Sequence, residues 1–339
     1  MKSMTRSKTA QPEDRALAPW QQTIVERIRA GKLVPILSSA TEDDLVLGGH
    51  SKLVQAYADY SRCPPDRRNL AEIAQFRGII DETVTDALAL KEDYVNFVKK
   101  RLFELAKAGG VDPDTLDEVK AQFNDLRLAR MSEHLGFPRS DDERSNPLEL
   151  LANLPLPIYL TTGYHELLEA ALRKAGKRPH TDFCRWHQAI EIGERYPSVF
   201  DGRYEPSKLE PLVYHLHGID RYEDSLVLTE DDTLRFLVAC AQDLGKNTDP
   251  VHSRVRQALS DSSLLLLGYE LQGWDFRSLF WGLIVQRTRS LASVVSIQLA
   301  PSEVEQKYLE KYLANYDFKV VWAGFQEYVV DLFKAVSNG

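Results

Sequence analysis

Two histidines one residue apart, with a glycine behind them, close the segment Pro211-Leu212-Val213-Tyr214-His215-Leu216-His217-Gly218. The residues ahead of them are apolar enough for a short buried strand. A histidine at a strand's carboxyl end can exchange a proton near neutral pH, and a glycine lets backbone approach a ligand closely. Strand alternation puts His215 and His217 on one face, Tyr214 and Leu216 on the other. Taken alone, a strand-end histidine is more often structural than catalytic. His215 reads as packing or orientation of its neighbour, and His217 depends on the blocks around it.

Three further segments carry small or polar residues just past apolar runs. Ser38-Ser39-Ala40-Thr41 follows Leu33–Leu37, and its hydroxyls could donate to phosphate. Glu42, Asp43 and Asp44 come next and would repel a pyrophosphate unless they point away. Thr161-Thr162-Gly163-Tyr164-His165 follows Pro157–Leu160, with Gly163 read as a tight strand-to-helix turn. Gly268 follows Leu264–Leu267, and Asp275 and Arg277 lie just beyond, as ribose and phosphate candidates or as a pair that fixes a loop. Thr229 ahead of Glu230, Asp231 and Asp232 reads as a helix N-cap.

Other chemistries are poorly served. Cys184 and His187 have CxxH spacing, but no local third ligand completes a metal site. Cys63, Cys184 and Cys240 carry no nucleophile signature or disulfide framework, which fits a reducing cytoplasm. There is no Walker loop. A net charge of −8 argues against a broad nucleic-acid or anionic-membrane surface. No run is long enough to span a bilayer, and the N-terminal segment has no apolar core of a secretory signal.

These residues need a scaffold that brings strand ends together. Apolar runs at Leu33–Leu37, Pro157–Leu160, Leu212–Tyr214, Leu264–Leu267, Val294–Leu299 and Lys319–Trp322 suit central parallel strands, apolar on both faces. Helical patterns separate them. Asn146 before Pro147 marks one helix start, and Ser302 with Glu305 offers a capping box for another. This order predicts an α/β fold, a Rossmann-like, doubly wound, mostly parallel sheet. The region of about 66–145 is helical and charged, with no clear strand. It reads as an inserted helical subdomain, either a packing module or a partner surface. Residues 1–15 read as a flexible tail and 16–339 as one domain.

Four blocks in this order resemble the SIR2-like (sirtuin-related) domain of bacterial antiphage defence NADase effectors. They are Leu33–Gly49, Tyr159–Glu169, Tyr214–Gly218 with Leu226–Asp232, and Leu267–Arg277. The resemblance implies an NAD⁺ glycohydrolase that cleaves NAD, its substrate, to nicotinamide and ADP-ribose. It assigns His217 as the catalytic residue at the ribose. Ser38, Ser39, Thr41, Thr162, Gly163, Gly218, Gly268 and Asp275 become the nucleotide-binding set, with no metal. The paired CxxC motifs that hold a structural zinc in sirtuin deacetylases are missing, which points away from deacylation.

Two departures matter. The family's Thr-x-Asn-x-Asp becomes Thr161-Thr162-Gly163-Tyr164-His165, so Gly163 replaces an asparagine and His165 an aspartate. The Gly-Ala-Gly turn after the first strand becomes Ser38-Ser39-Ala40. They motivate the alternative of a catalytically inactive nucleotide-binding or scaffolding subunit of a defence complex. Gating by a homo-oligomer or by a separate sensor protein is expected, with a cytoplasmic location.

Overall fold

The computed structural model describes residues 19–66, 69–138, 146–187, 190, 196–242, 246, 249–270, 273–284, 295–299, 303–314 and 318–337. Seven strands form one sheet: β1 (Leu33–Leu37), β2 (Ile158–Thr161), β3 (His180–Phe183), β4 (Leu212–His215), β5 (Ser263–Leu267), β6 (Val295–Leu299) and β7 (Phe318–Trp322). Their order is β3-β4-β2-β1-β5-β6-β7, and every pairing is parallel. The expected α/β sheet is therefore present, and parallel throughout the described strands.

The sheet's two faces account for the apolar runs. Leu33, Leu37, Tyr159, Val213, Leu265 and Leu267 enter one hydrophobic layer. Val34, Ile36, Leu160, Tyr214, Leu264 and Leu266 enter the other. Each central strand is thus buried on both sides, as helices on both faces of a parallel sheet require. β3 has no such signature, because His180-Thr181-Asp182-Phe183 is largely polar. It lies at the sheet's edge, where one hydrogen-bonding side needs no partner strand, and no sequence pattern marked it.

Between β1 and β2 the chain is helical in all its described elements. α2 (Ser39–Val46), α3 (His50–Tyr60), α4 (Leu70–Ile80), α5 (Ala87–Ala108), α6 (Pro113–Ala121), α7 (Leu128–His134) and α8 (Pro147–Asn153) follow one another. The α5 helix ends at Gly109, and Gly110 takes the left-handed conformation (φ +74°) that favours glycine. Asn146 caps α8 through its side chain, with Pro147 in the first turn. The Asp232 amide donates to Thr229 Oγ1 at 3.0 Å, so Thr229 caps the helix Glu230–Gln242. Ser302 and the 1–15 tail lie outside the described residues, as does Val294.

The strand order turns around at β1. From β1 the chain moves to β2 and the β4–β3 edge, then returns across β1 to β5. A sheet that reverses its winding leaves a crevice at the carboxyl ends of the strands on either side. Ser38, Thr162, His217 and Gly268 all follow strand ends at that crevice.

Candidate ligand cavity at the strand ends

A cavity of about 500 Å³ opens at this edge. Its walls include Ser39, Thr162, Tyr164, His217, Trp274 and Asp275, with His50 from α3 and Tyr94 from α5. Four of the sequence-predicted residues, Ser39, Thr162, His217 and Asp275, thus face one space. Ser38, Thr41, Gly163, Gly218 and Gly268 lie behind that wall and shape it.

The glycines show why. A Cβ on Gly268 (φ +73°) would lie 1.9 Å from Thr41 Cγ2. A Cβ on Gly218 (φ +84°) would lie 2.2 Å from the Ser225 carbonyl oxygen. Both positions combine a backbone that side chains rarely adopt with a contact they cannot make.

The start of α2 is closed by its own neighbours. The Ser39 amide donates to Thr162 Oγ1 at 3.0 Å, the Ala40 amide to Ser38 Oγ at 3.3 Å, and the Thr41 amide to the Ser38 carbonyl at 3.1 Å. Ser38 Oγ donates to Asp275 Oδ2 at 2.8 Å, and Thr41 Oγ1 to the Ser38 carbonyl at 2.6 Å. Glu42 and Asp43 turn away from the cavity into the protein, while Asp44 is exposed and caps the His50 amide at 2.7 Å.

The two histidines of the fourth strand part company. β4 ends at His215, so the alternation predicted for both does not extend to His217. His215 is fully buried, its Nδ1 2.7 Å from the Gly163 carbonyl and its Nε2 2.9 Å from Glu169 Oε1. Burial opposes its charge, but Glu169 and the Gly163 carbonyl outweigh it and raise its pKa to about 9. His215 is therefore a pinned cation that fixes the turn at Gly163.

His217 faces the cavity, with its ring edge-on to Phe236. Burial lowers its pKa to about 4, so it is neutral at physiological pH. Ser278 Oγ lies 3.3 Å from His217 Nε2 and 3.1 Å from the Asp275 backbone carbonyl, and so fixes the ring at its Nε2 edge. A neutral imidazole keeps one ring nitrogen as an acceptor.

Below the cavity sits a set of buried polar groups. Both Glu42 carboxylate oxygens, Asp43 Oδ1, both His165 nitrogens and Glu169 Oε2 are buried without a protein hydrogen-bond partner. Burial raises the Glu42 pKa to about 7. Asp43 stays below its ordinary value despite burial, because His165 and His50 favour its anion; His50 Nδ1 is 2.7 Å from Asp43 Oδ2. Among the described residues no group of three or more His, Cys, Asp or Glu side chains is placed to hold a metal ion. Ser278 escaped sequence reading because it lies in no motif; only its partner, 61 residues away, gives it a role. Glu42 reads in the sequence as a charge beside a pyrophosphate, whereas it is buried beneath Gly163.

An open parallel sheet with a nucleoside-sized cavity at its switch point is a Rossmann-like α/β architecture with a candidate ligand cavity at the carboxyl ends of its strands. Residues 157–321 match the family model for the SIR2-like domain, from β2 to β7. This part of the chain is therefore similar to SIR2-like domains, which suggests an NAD-related function. No curated protein matches the chain. Among the described residues no helix is long and apolar enough to cross a membrane.

Proposed function

We propose that the cavity binds NAD⁺ and that the domain hydrolyses its nicotinamide–ribose bond, as the effector of a bacterial antiphage defence system. The observation that carries this reading is His217: a neutral ring on the cavity wall, hydrogen-bonded at Nε2 to Ser278, with Asp275 on the same wall. In the reaction the C1′–N bond breaks and its electron pair leaves with nicotinamide. Water adds to C1′ and its proton passes to solvent, giving ADP-ribose. The neutral His217 ring accepts a hydrogen bond from a ribose hydroxyl and orients the sugar. The Asp275 carboxyl faces the positive charge that develops on the ribose. Ser39 and Thr162 line the same wall.

No metal enters this scheme. A homo-oligomer or a separate sensor subunit would gate the cytoplasmic effector, since uncontrolled NAD loss would kill the host. The test is nicotinamide release from NAD⁺ by the purified chain and by His217→Ala, each alone and with lysate of phage-infected cells. Release that depends on His217 supports the hydrolase. NAD binding without release in any condition rejects it.

One observation favours a second reading, an inactive nucleotide-binding or scaffolding subunit. Glu42 fills the space at Gly163, so no side chain from that position can reach a water or the ribose.

A further inference from the structure

We propose that His50, held by Asp43, is a general acid of this cavity, and that it extends the site's chemistry to uncharged N-ribosides, purine nucleosides being the class. This goes beyond the NAD reading, which has no use for an acid because nicotinamide leaves as a neutral base.

The geometry is that of an oriented imidazole. His50 is the first residue of α3 and lines the cavity with 30% of its side chain exposed. Its Nδ1 lies 2.7 Å from Oδ2 of Asp43, which is buried behind it. Despite that burial, His165 and His50 hold Asp43 as the anion. An ionised carboxylate can only accept, so His50 Nδ1 carries a proton and Nε2 is the nitrogen left for a ligand. Nε2 has no hydrogen-bond partner among the described residues. The His50 amide donates to Asp44 Oδ1 at 2.7 Å, so the backbone is fixed as well.

Burial opposes a charge on this ring, but the hydrogen bond and the charge of Asp43 outweigh it and hold the His50 pKa above its ordinary value. Asp275 and Glu270 act in the same sense. Asp275 is itself pushed towards the neutral acid by burial, and Glu270 is exposed, so Asp43 is the main source. His217, on the same cavity wall, is pushed down to about 4. Two titratable groups driven apart in one site mark an acid and an acceptor.

The leaving base has a place beside the acid. His50, Val54 and Ala58 are four residues apart in turn and share one face of α3. With Leu70 and Ile73 of α4 they give the cavity an apolar wall, against which a flat heterocycle packs. The ribose then reaches the strand ends at His217. In NAD⁺ the departing ring is already a cation, so it takes the C1′–N electron pair and leaves neutral. The base of a purine nucleoside would leave as an anion. Here the C1′–N bond breaks, its electron pair goes to the base, and the base takes the proton from His50 Nε2. Water adds to C1′ and loses a proton to solvent, and solvent reprotonates His50. The products are ribose and the neutral purine.

The experiment follows hypoxanthine release from inosine and nicotinamide release from NAD⁺ by the full chain, from about pH 5 to about pH 9. We expect both bases to be released. The kcat/KM for inosine should fall as pH rises through the pKa of His50, because only the imidazolium has a proton to give; NAD⁺ should show no such limb. His50→Gln keeps a donor for Asp43 but cannot transfer a proton. It should lower kcat for inosine by roughly hundredfold or more, the scale of general acid catalysis, and the ratio of inosine to NAD⁺ turnover by at least roughly tenfold. Asp43 is a positioning residue, and Asp43→Asn should move the basic limb to lower pH. Nicotinamide release with no hypoxanthine release at any pH overturns the proposal and leaves the NAD reading standing. An inosine rate that rises with pH overturns it too, and needs no variant to fold, as does an inosine rate unchanged in His50→Gln. Hypoxanthine release without nicotinamide release supports the acid and counts against the NAD reading. Release of neither overturns the proposal, and the NAD reading is then judged by its own assay with lysate.

Discussion

Glu42 and Gly163 share one volume: a Cβ built on Gly163 would lie 2.2 Å from Glu42 Oε2 and 2.6 Å from its Cδ. Glu42 is wholly buried, so its carboxyl has no solvent to retreat into. Glycine at 163 is thus what a carboxyl at 42 demands. Gly163→Ala should lose about 1–3 kcal/mol, the usual cost of overpacking a closed site. Glu42→Ala in the same chain should recover most of it, giving a coupling above about 1 kcal/mol in a double-mutant cycle read by urea denaturation. Additive losses would mean that the two positions do not compete for space.

Glu42 also sets a pH dependence. Burial raises its pKa from 4.5 to about 7 in the folded chain; His165 and His215 oppose the rise, while Glu169 and Asp43 add to it. The fold therefore prefers the protonated acid. Its contribution is full below pH 4.5 and is lost as pH rises to about 7, a change of roughly 3 kcal/mol. His217 works in the opposite sense in an overlapping range, since its pKa falls from 6.5 to about 4 and its contribution is lost on acidification. The informative quantity is the stability of the chain minus that of Glu42→Gln, measured from pH 4 to 8. That difference should decline across the window; a flat line would refute the assignment.

A neutral His217 predicts the acid limb of catalysis. Protonation removes the ring's acceptor nitrogen, and with the pKa held near 4 by burial, nicotinamide release should persist to about pH 5. Ser278→Ala removes the hydroxyl that holds the His217 ring at Nε2. We expect kcat to drop by roughly tenfold, within the range for a positioned proton acceptor, with little change in KM. An acid limb near 6.5 in the unaltered chain would show an ordinary exposed histidine instead.

Gly268→Ala should destabilise the fold for two separable reasons, a left-handed backbone and a Cβ 1.9 Å from Thr41 Cγ2. Thr41→Ser removes that methyl and keeps the hydroxyl bond to Ser38. The pair should recover the steric part and retain the backbone penalty of about 1 kcal/mol. Thermal unfolding of the single and double variants resolves the two.

What the sequence by itself determined is the scaffold. Leu33–Leu37, Leu212–Tyr214 and Leu264–Leu267 are apolar on both faces, a local pattern that only a strand covered on both sides satisfies. Asn146, Thr229 and Gly109–Gly110 mark helix ends by side-chain and backbone chemistry within a few residues. The positions of His217, Thr162 and Asp275 after apolar runs pointed to the strand-end crevice for the same reason. Tertiary structure alone decided the chemistry. Ser38 meets Asp275 across 237 residues, and Ser39 meets Thr162 across 123. No local pattern encodes such pairs, so the occupied helix start and the carboxyl beneath Gly163 emerge only when the strand ends converge. A buried group takes its charge and its proton from what is packed against it, and that packing is set by the fold as a whole.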